Sequence, residues 1–429
     1  MVNIIKFLLK RPRIYKYLRK VYDEALHSSA ELIDTAVLES IPLDCREIGF
    51  DNPSTLRLNL LVPALSQQNV FGGIATALAL FDSLRKSYQN ARIILTDEQN
   101  FCHADNPAYV DWIIQSLDDK EIEGLTIVSA GDRYGKTLSV GPRDRFIATA
   151  WWTASLAKSI QNWQYISYSL PTIPPYIYLI QDFEPGFYPW SSRYILAEAT
   201  YSNPGNTTII FNTTILKKFF ENEGYNFDHT YVFEPCLNER LLAMRSQAMK
   251  QVRRKRILVY GRPSIERNAF AVIIMALCVW TANSSESIDW EFISVGESHA
   301  EIDLSNGKKL ISKGKLSLEE YAFEMGKSSL GISLMISPHP SYPPLEMVSF
   351  GMKVITNQYK NKNLSEFSTN IISLTSVSPE TIVQELIKQT QSFTREPNPC
   401  YEESSRIEKY ISSDNSFESL TKSLLENII

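Results

Sequence analysis

Two runs of alternating apolar strands and helical segments occupy most of the chain, and this pattern limits its fold more than any other feature. Strands and helices at this spacing are typical of βαβ units, which build parallel sheets. The predicted strands of the first run are Leu56–Val62, Ala91–Thr96, Leu125–Ser129, Arg145–Ala150, Tyr176–Gln181, Thr207–Asn212 and Thr230–Phe233. Those of the second run are Ile257–Tyr260, Trp290–Val295, Leu310–Ser312, Leu330–Ile336, Lys353–Thr356 and Asn370–Leu374. The sequence therefore predicts an α/β protein with two doubly wound, Rossmann-like domains that face a central cleft.

Helices are predicted between these strands, and a polar stretch, Ala243–Arg256, separates the two runs. The predicted helices are Ile74–Tyr88, Ala108–Asp118, Trp151–Trp163, Ser191–Thr200, Thr213–Asn222, Ala269–Ala282, Ser317–Lys327, Pro344–Phe350 and Pro379–Thr390. A length of 429 residues is also too great for one ordinary core. We expect a first domain over residues 1–250 with an N-terminal helical extension, and a second over residues 251–403. We expect C-terminal helices over residues 404–429 to pack back on the first domain.

Composition narrows the class of protein. The net charge of −5 gives no basis for nucleic-acid binding. The five cysteines are scattered and form no metal-binding spacing, so a reducing, cytoplasmic location is expected. No apolar run reaches the length of a membrane-spanning helix, and no secretory signal is recognisable. No Asp-x-Asp pair occurs, so neither a metal nor another cofactor is expected.

Residues 1–20 are basic and carry interleaved apolar side chains, with no acid before Asp23. A segment of this kind can lie on an anionic membrane surface, here the inner face of the plasma membrane. The alternative is a helix packed on the protein's own surface, and Pro12 interrupts the segment in either case.

Two arginines follow the predicted strand Ile257–Tyr260, in the sequence GRPSIERN that begins at Gly261. Guanidinium groups bind phosphate oxygens in a bidentate way, and a nearby helix N-terminus favours an anion. Arg262 and Arg267 are therefore candidate ligands of a diphosphate. The alternative is a surface turn with two solvated arginines.

The second informative segment is SPHPSYPPLEMVSFGMKVITN, which begins at Ser337. A buried strand is predicted to end at Ser337 and a Pro-rich loop to follow it. Glu346 is then expected in the first turn of a short helix, at the carboxyl edge of the second sheet. A carboxylate there can accept both hydroxyls of a ribose, although a first-turn acid is ordinarily helix-dipole compensation.

Together these segments resemble retaining glycosyltransferases of the GT-B fold, family 4. GRPSIERN resembles their phosphate-binding turn, with Arg267 where Lys is usual, and PPLEMVSFGMKVI resembles the helix whose Glu binds the nucleotide ribose, a role that falls to Glu346. The segment after Ser312 resembles their base-binding loop, which makes Lys315 and Leu316 candidates. Gly72 and Gly73 resemble the Gly-rich loop that approaches the donor pyrophosphate.

The resemblance is closest to bacterial rhamnosyltransferases that build surface polysaccharides such as rhamnans and S-layer glycans. It is carried by LIQDFEPGFYPWSSRY, ATAWWTA and SPHPSYPPLEM, and it covers roughly Leu56 to Leu386. The family's usual Glu eight residues before the ribose-binding Glu is Pro338 here, so His339 or nearby backbone is expected to take over its place beside the sugar.

The resemblance implies transfer of L-rhamnose from dTDP-rhamnose to a growing bacterial glycan, with retention of configuration and without a metal. The acceptor would be a glycan, either free or carried on a lipid. GDP-mannose or UDP-glucose are alternative donors. A non-catalytic nucleotide- or glycan-binding subunit is the alternative from another class.

Acids and aromatic residues also follow the predicted strand Tyr176–Gln181. Asp182 and Glu184 are candidates for orienting an acceptor hydroxyl or taking its proton, the alternative being loop acids beside a Pro-Gly turn. Arg262 would stabilise charge on the departing diphosphate. Aromatic side chains that could face a deoxysugar, or else pack in the core, are Trp151, Trp152, Tyr188 and Trp190.

Overall fold

The computed structural model describes residues 42–48, 55–67, 70, 72–395, 405–412 and 417–428. Ten strands precede the domain junction in chain order: β1 (Asp44–Glu47), β2 (Arg57–Val62), β3 (Asn90–Leu95), β4 (Ile113–Gln115), β5 (Leu125–Ser129), β6 (Thr137–Val140), β7 (Asp144–Ala148), β8 (Tyr176–Ile180), β9 (Thr207–Phe211) and β10 (His229–Val232). Eight of them form one parallel sheet in the order β10-β9-β8-β7-β2-β3-β5-β4. The strand order reverses beside β2, so a crevice opens between the carboxyl ends of β2 and β7.

Helices cover both faces of this sheet, as a parallel sheet requires. They are α1 (Gly72–Leu84), α2 (Trp151–Ser167), α3 (Ser192–Ser202), α4 (Thr214–Asn222) and, at the junction, α5 (Glu239–Ala248). Successive residues of β2 belong to opposite cores: Leu60 packs with α1, whereas Leu61 packs with α2 and α4. This alternation follows from the two-residue period of a strand.

The second sheet has seven strands in the order β13-β14-β12-β11-β15-β16-β17. They are β11 (Arg254–Gly261), β12 (Glu291–Gly296), β13 (Ile302–Asp303), β14 (Lys309–Ser312), β15 (Ser328–Ile332), β16 (Lys353–Asn357) and β17 (Ile371–Leu374). All pairs are parallel except the short edge pair of β13 and β14. The central strand is β11, so the order reverses between β11 and β15, and the second crevice opens at their carboxyl ends.

The helices of the second half are α6 (Phe270–Asn283), α7 (Leu318–Lys327), α8 (Tyr342–Ser349), α9 (Pro379–Arg395), α10 (Ser405–Ile411) and α11 (Glu418–Ile428). The last two helices separate. Ile407 and Tyr410 of α10 pack in the core of the second sheet. Leu420 and Leu424 of α11 pack in the first, against α1. The chain end thus contacts both halves of the molecule.

These two doubly wound sheets confirm the predicted α/β architecture, with two local differences from the sequence pattern. The helix predicted over Ala108–Asp118 is a single 3-10 turn, Pro107–Tyr109, followed by the edge strand β4. Asn106 caps only that turn, and the β-branched pair Ile113 and Ile114 instead extends the open edge of β5. The polar stretch Ala243–Arg256 also begins inside a helix, because α5 continues to Ala248.

A small two-stranded sheet was not predicted from the sequence. Strands β1 and β6 pair in parallel, apart from both large sheets. Arg46 of β1 donates hydrogen bonds to the carbonyls of Leu117 and Asp119, which ties this sheet to the loop after β4. The basic segment of residues 1–20 lies outside the described residues. Within them, no helix combines the length and the apolar character needed to cross a membrane.

Candidate functional site

Each crevice lies at the carboxyl edge of a sheet, and the predicted site residues follow the strands that end at these edges. Arg262 follows β11, Lys315 follows β14, and the loop 333–341 follows β15. From the other sheet, Asp182 follows β8 and Asn212 follows β9. Contacts between these groups, described below, join the two halves and make a single candidate site.

Arg262 is exposed at the end of β11, and glycines make room around it. A Cβ on Gly261 would come within 2.4 Å of the ring of Phe270, so only glycine allows this turn to pack against α6. Gly296, at the end of β12, has φ of +116°, and the side chain of Arg262 lies across it. No carboxylate lies within ion-pair distance of Arg262 among the described residues.

Lys315 is the second exposed cation on this edge. It follows Gly314, whose φ of +64° turns the chain back toward β12. Partial burial and the nearby Arg262 guanidinium lower the pKa of Lys315, so the two cations lie near one another. Leu316, the other predicted base contact, is partly buried against the core of the second domain. The pair Arg262 and Lys315 is thus a concentration of positive charge at the crevice.

Arg267 has a different environment from Arg262. Its Nη1 donates to Oδ2 of Asp182 at 2.7 Å, across the domain boundary. Its guanidinium also lies 3.6 Å from the ring centroid of Phe187, a cation–π contact. Arg267 is therefore engaged by the first domain in this structure and is not displayed to a diphosphate beside Arg262.

Glu346 lies on α8 but not in its first turn, which corrects the sequence prediction. The helix begins at Tyr342, because its prolines occupy early positions where a missing N–H costs nothing. Dipole compensation therefore does not account for this acid. Burial raises the pKa of Glu346 to about 7, and the nearby Tyr321 hydroxyl opposes that rise. The Tyr321 hydroxyl is itself buried beside this carboxylate.

Tyrosines surround Glu346 on several sides. The nearby carboxylate contributes to raising the pKa of Tyr260, Tyr321 and Tyr410, with burial as the larger cause for each. These side chains come from β11, α7 and α10. A partly buried carboxylate with spare hydrogen-bonding capacity, close to Tyr260 at the end of β11, suits a ligand that supplies hydroxyl donors.

His339 is buried in the loop after β15, and burial lowers its pKa to about 4, so its ring is neutral. Its Nδ1 accepts from the Ser341 N–H at 3.0 Å, which leaves the proton on Nε2. Nε2 lies 3.2 Å from Nδ2 of Asn212 in the first domain, and a proton on Nε2 requires the amide to turn so that its oxygen faces the ring. His339 thus links the domains, and its ring proton is directed at Asn212.

Asp182 and Glu184 were predicted together but have separate surroundings. Asp182 accepts from Arg267, from the Ser337 hydroxyl and from the Phe183 N–H. Glu184 turns inward, where its Oε2 accepts from the hydroxyls of Tyr178 and Tyr201. Burial raises the pKa of Glu184 to about 8. Only Asp182 lies in the junction between the two sheets.

Gly72 and Gly73 begin α1, opposite the end of β8. Gly72 has φ of +37°. Gln181 donates to the Gly73 carbonyl at 3.0 Å, and a Cβ on Gly73 would lie 3.0 Å from the Gln181 amide. The Gly-Gly pair therefore lets the start of α1 approach the strand end that carries Asp182.

The aromatic residues of this region divide between core and surface. Trp151 is fully buried, and its indole N–H donates to Tyr188 at 3.0 Å, so it packs in the core instead of facing a sugar. Trp152 is partly exposed and donates to Asp97 at 3.0 Å. Trp190 is 97% exposed on the loop after β8. Trp152, Tyr188 and Trp190 are thus the members of this set that lie toward the surface.

Sequence reasoning missed one charged residue of the junction, Lys362. This side chain is 0% exposed, and its Nζ donates to the Met335 carbonyl at 2.6 Å. In the sequence, Lys362 lies in a polar run at the end of β16, NQYKNKN, which is typical of a surface turn. Only the fold reveals that one lysine of this run points inward.

Known proteins are similar to this chain in sequence and in fold. Residues 57–214 match the family described as "WsaF, N-terminal domain", and residues 255–387 match "WsaF, C-terminal domain". The O-antigen biosynthesis protein RfbC of Myxococcus xanthus is 29% identical over 180 residues, which is 42% of this chain. The matched stretch spans only 14% of that protein.

Solved GT-B structures align over nearly all of the described chain. Anabaena Alr3699/HepE in complex with UDP and glucose aligns with a TM-score of 0.55 at 12% identity, covering 87% of this chain and 99% of that one. WaaG, a glycosyltransferase involved in lipopolysaccharide biosynthesis, aligns with a TM-score of 0.50 at 12% identity, covering 86% and 99%. The chain thus has the GT-B fold and carries both the N-terminal and the C-terminal domain of the WsaF family.

Proposed function

We propose that this protein is a glycosyltransferase that moves a hexosyl unit from a nucleotide sugar to a growing bacterial surface glycan. The observation that carries the proposal is the pair of exposed cations, Arg262 and Lys315, at the reversal point of the second sheet. They lie on the same sheet edge as the tyrosine-surrounded Glu346. A diphosphate would bind the two cations, and the hydroxyls of a ribose would donate hydrogen bonds to the carboxylate. A nucleoside diphosphate therefore fits both parts of the site.

The proposed donor is dTDP-rhamnose, and the proposed outcome is retention of configuration. Both follow from the resemblance of the motifs to bacterial rhamnosyltransferases. The WsaF domains and the O-antigen biosynthesis relative support assembly of a surface polysaccharide. UDP-glucose is the alternative donor with direct support, since HepE binds UDP and glucose on the same fold. GDP-mannose is a further alternative.

In the proposed reaction the protein acts mainly by position and charge. Arg262 and Lys315 stabilise the charge that develops on the departing diphosphate. Arg267, held by Asp182, is assigned to the boundary between donor and acceptor. Asp182 is the acceptor-side carboxylate, because it projects from the first sheet into the junction.

Thermal unfolding in the presence of dTDP-rhamnose, UDP-glucose and GDP-mannose tests donor binding, since a ligand of the native state raises Tm by mass action. We expect the largest rise with dTDP-rhamnose. Transfer to a lipid-linked or free glycan acceptor then tests catalysis. Binding without any transfer would favour the non-catalytic alternative, and no binding of any nucleotide sugar would reject the proposal.

The acceptor is proposed to be a glycan, carried on a lipid if the enzyme works at the inner face of the plasma membrane. Attachment through the basic residues 1–20 is still a prediction from sequence. It is tested by flotation with anionic liposomes. The full-length protein should float with the liposomes, and a variant lacking residues 1–20 should not.

A further inference from the structure

A buried lysine lies beside the proposed site without a role in it. Lys362 is 0% exposed and donates to one carbonyl, that of Met335. Burial lowers its pKa to about 7, and the carboxylate of Asp182 opposes that effect. Burying an ammonium group is costly unless its charge is compensated. The Asp182 carboxylate, on the other domain, is the compensating charge nearest to it.

Lys362 ends a tight turn that touches the first domain. Tyr359 and Lys362 exchange backbone hydrogen bonds of 3.1 and 2.8 Å, and Lys360 at the tip has φ of +52°. The exposed tip contacts the region of α4: Asn361 donates to the Ile215 carbonyl at 2.9 Å, and Lys360 pairs with Glu223 at 3.1 Å. The turn 359–362 therefore bridges the domains from the surface inward.

The buried end of the same turn fixes the loop 333–341. Met335 is held on both sides, because its carbonyl accepts from Lys362 and from Asn357 and its N–H donates to Asn357 at 2.7 Å. The next residue of the loop donates its N–H to the Arg267 carbonyl at 2.8 Å. Beyond this anchor the loop supplies Ser337 to Asp182 and His339 to Asn212. The position of Met335 thus determines where the loop meets the first domain.

We propose that Lys362 is a positioning residue for glycosyl transfer: it holds the loop 333–341 against Asp182 and couples that loop to domain contact through the turn 359–362. This inference rests on the proposed function. Lys362 acts on the loop through Met335, and its charge interacts with that of Asp182 on the proposed acceptor side. Losing it should therefore impair transfer while leaving nucleotide affinity intact.

The test is Lys362→Met, which keeps the alkyl stem and removes the charge, with Lys388→Met on the exposed surface of α9 as the matched control. We expect Lys362→Met to lower kcat at least tenfold and to change the Kd for free dTDP less than twofold. The control should stay within twofold in both, since exposed ion pairs contribute little. Wild-type kcat in Lys362→Met, or a parallel loss of dTDP affinity, would overturn the proposal.

Hydrogen–deuterium exchange tests the same inference without turnover. The amides of Met335, His339 and Ser341 are hydrogen-bonded and should exchange more slowly in the wild type than in Lys362→Met, while β11 amides stay unchanged. Asn361→Ala, a change near the surface that spares the fold, should loosen the same loop. Unchanged protection in these variants overturns the inference, whereas a wild type that turns over no donor rejects only the proposed function.

Discussion

Arg262 and Arg267 lie on one turn yet have different electrostatic partners. Arg262 lies near Lys315, whereas Arg267 forms an ion pair with Asp182. A charged hydrogen bond contributes about 1.5–3 kcal/mol, so Arg262→Ala and Lys315→Ala should each weaken dTDP binding about tenfold or more. Arg267→Ala should weaken it by less than about threefold, because its charge is already paired. Isothermal titration calorimetry measures all three variants.

Lys388→Ala, on the exposed surface of α9, is the control for loss of a cation outside the site. Equal losses of dTDP affinity in Arg262→Ala and Arg267→Ala would show that both arginines bind the diphosphate. In that case the ion pair with Asp182 must open when the nucleotide binds.

Glu346 should make stability depend on pH. Its pKa is raised from 4.5 to about 7 in the folded protein, so between these values the folded state holds a proton that the unfolded state has lost. Its contribution to stability is therefore present below pH 4.5 and is lost as pH rises to 7. At pH 8 Glu346→Gln should raise the free energy of unfolding by roughly 1–2 kcal/mol, and at pH 4.5 the two proteins should agree.

Chemical denaturation at both pH values measures this difference, with Glu286→Gln on the surface as the matched control. The same Glu346→Gln variant should bind dTDP more weakly, because the amide replaces one acceptor with a donor. A variant that is no more stable at pH 8 would contradict the raised pKa. A variant that binds dTDP normally would remove Glu346 from the ribose site.

At the scale of elements, the sequence predicts the strands and helices whose formation depends on local residue pattern. It does not predict those that form only because they pack or pair with another element. The strands β8 and β11 are recognisable because every residue of their cores is apolar and turn residues follow. The edge strand β4 is not recognisable, because its three residues form a strand only against the open edge of β5. The start of α8 is misplaced for a related reason: a Pro-Pro pair ordinarily signals a loop, yet it also fits a first helical turn.

The segment after β8 allows a direct comparison of two acids on one element. Asp182→Asn removes the charge that pairs with Arg267, and transfer should fall at least tenfold with dTDP affinity unchanged. Glu184→Gln keeps an oxygen that can accept from Tyr178 and Tyr201, so kcat should change less than threefold. Steady-state kinetics with saturating donor distinguishes these outcomes. Equal losses of kcat in both variants would show that Glu184 also takes part in catalysis.

At the scale of the whole molecule, the junction could not be derived from the sequence. Motifs identify Arg267, Asp182 and His339 as site residues, but they do not show which of them meet. The pairs that form join positions far apart in the chain, Arg267 with Asp182 and His339 with Asn212. Such pairing depends on how two separately folded sheets approach one another, and no local signal encodes it. Lys362 was missed as well, because the polar run NQYKNKN gives no sign that one of its lysines is buried.

The charge balance of the complete cleft leads to the last prediction, that transfer needs no divalent metal. Arg262 and Lys315 supply positive charge for the diphosphate, and Asp182, the junction acid, is already occupied by Arg267 and Ser337. Metal ions on a diphosphate are usually held by free carboxylates, and Glu346 is partly protonated near pH 7. We expect turnover in excess EDTA to match turnover in EDTA presaturated with Mg²⁺, the control for ionic strength. Loss of activity in EDTA with recovery on adding Mn²⁺ would show that a metal, and not the cation pair, neutralises the leaving group.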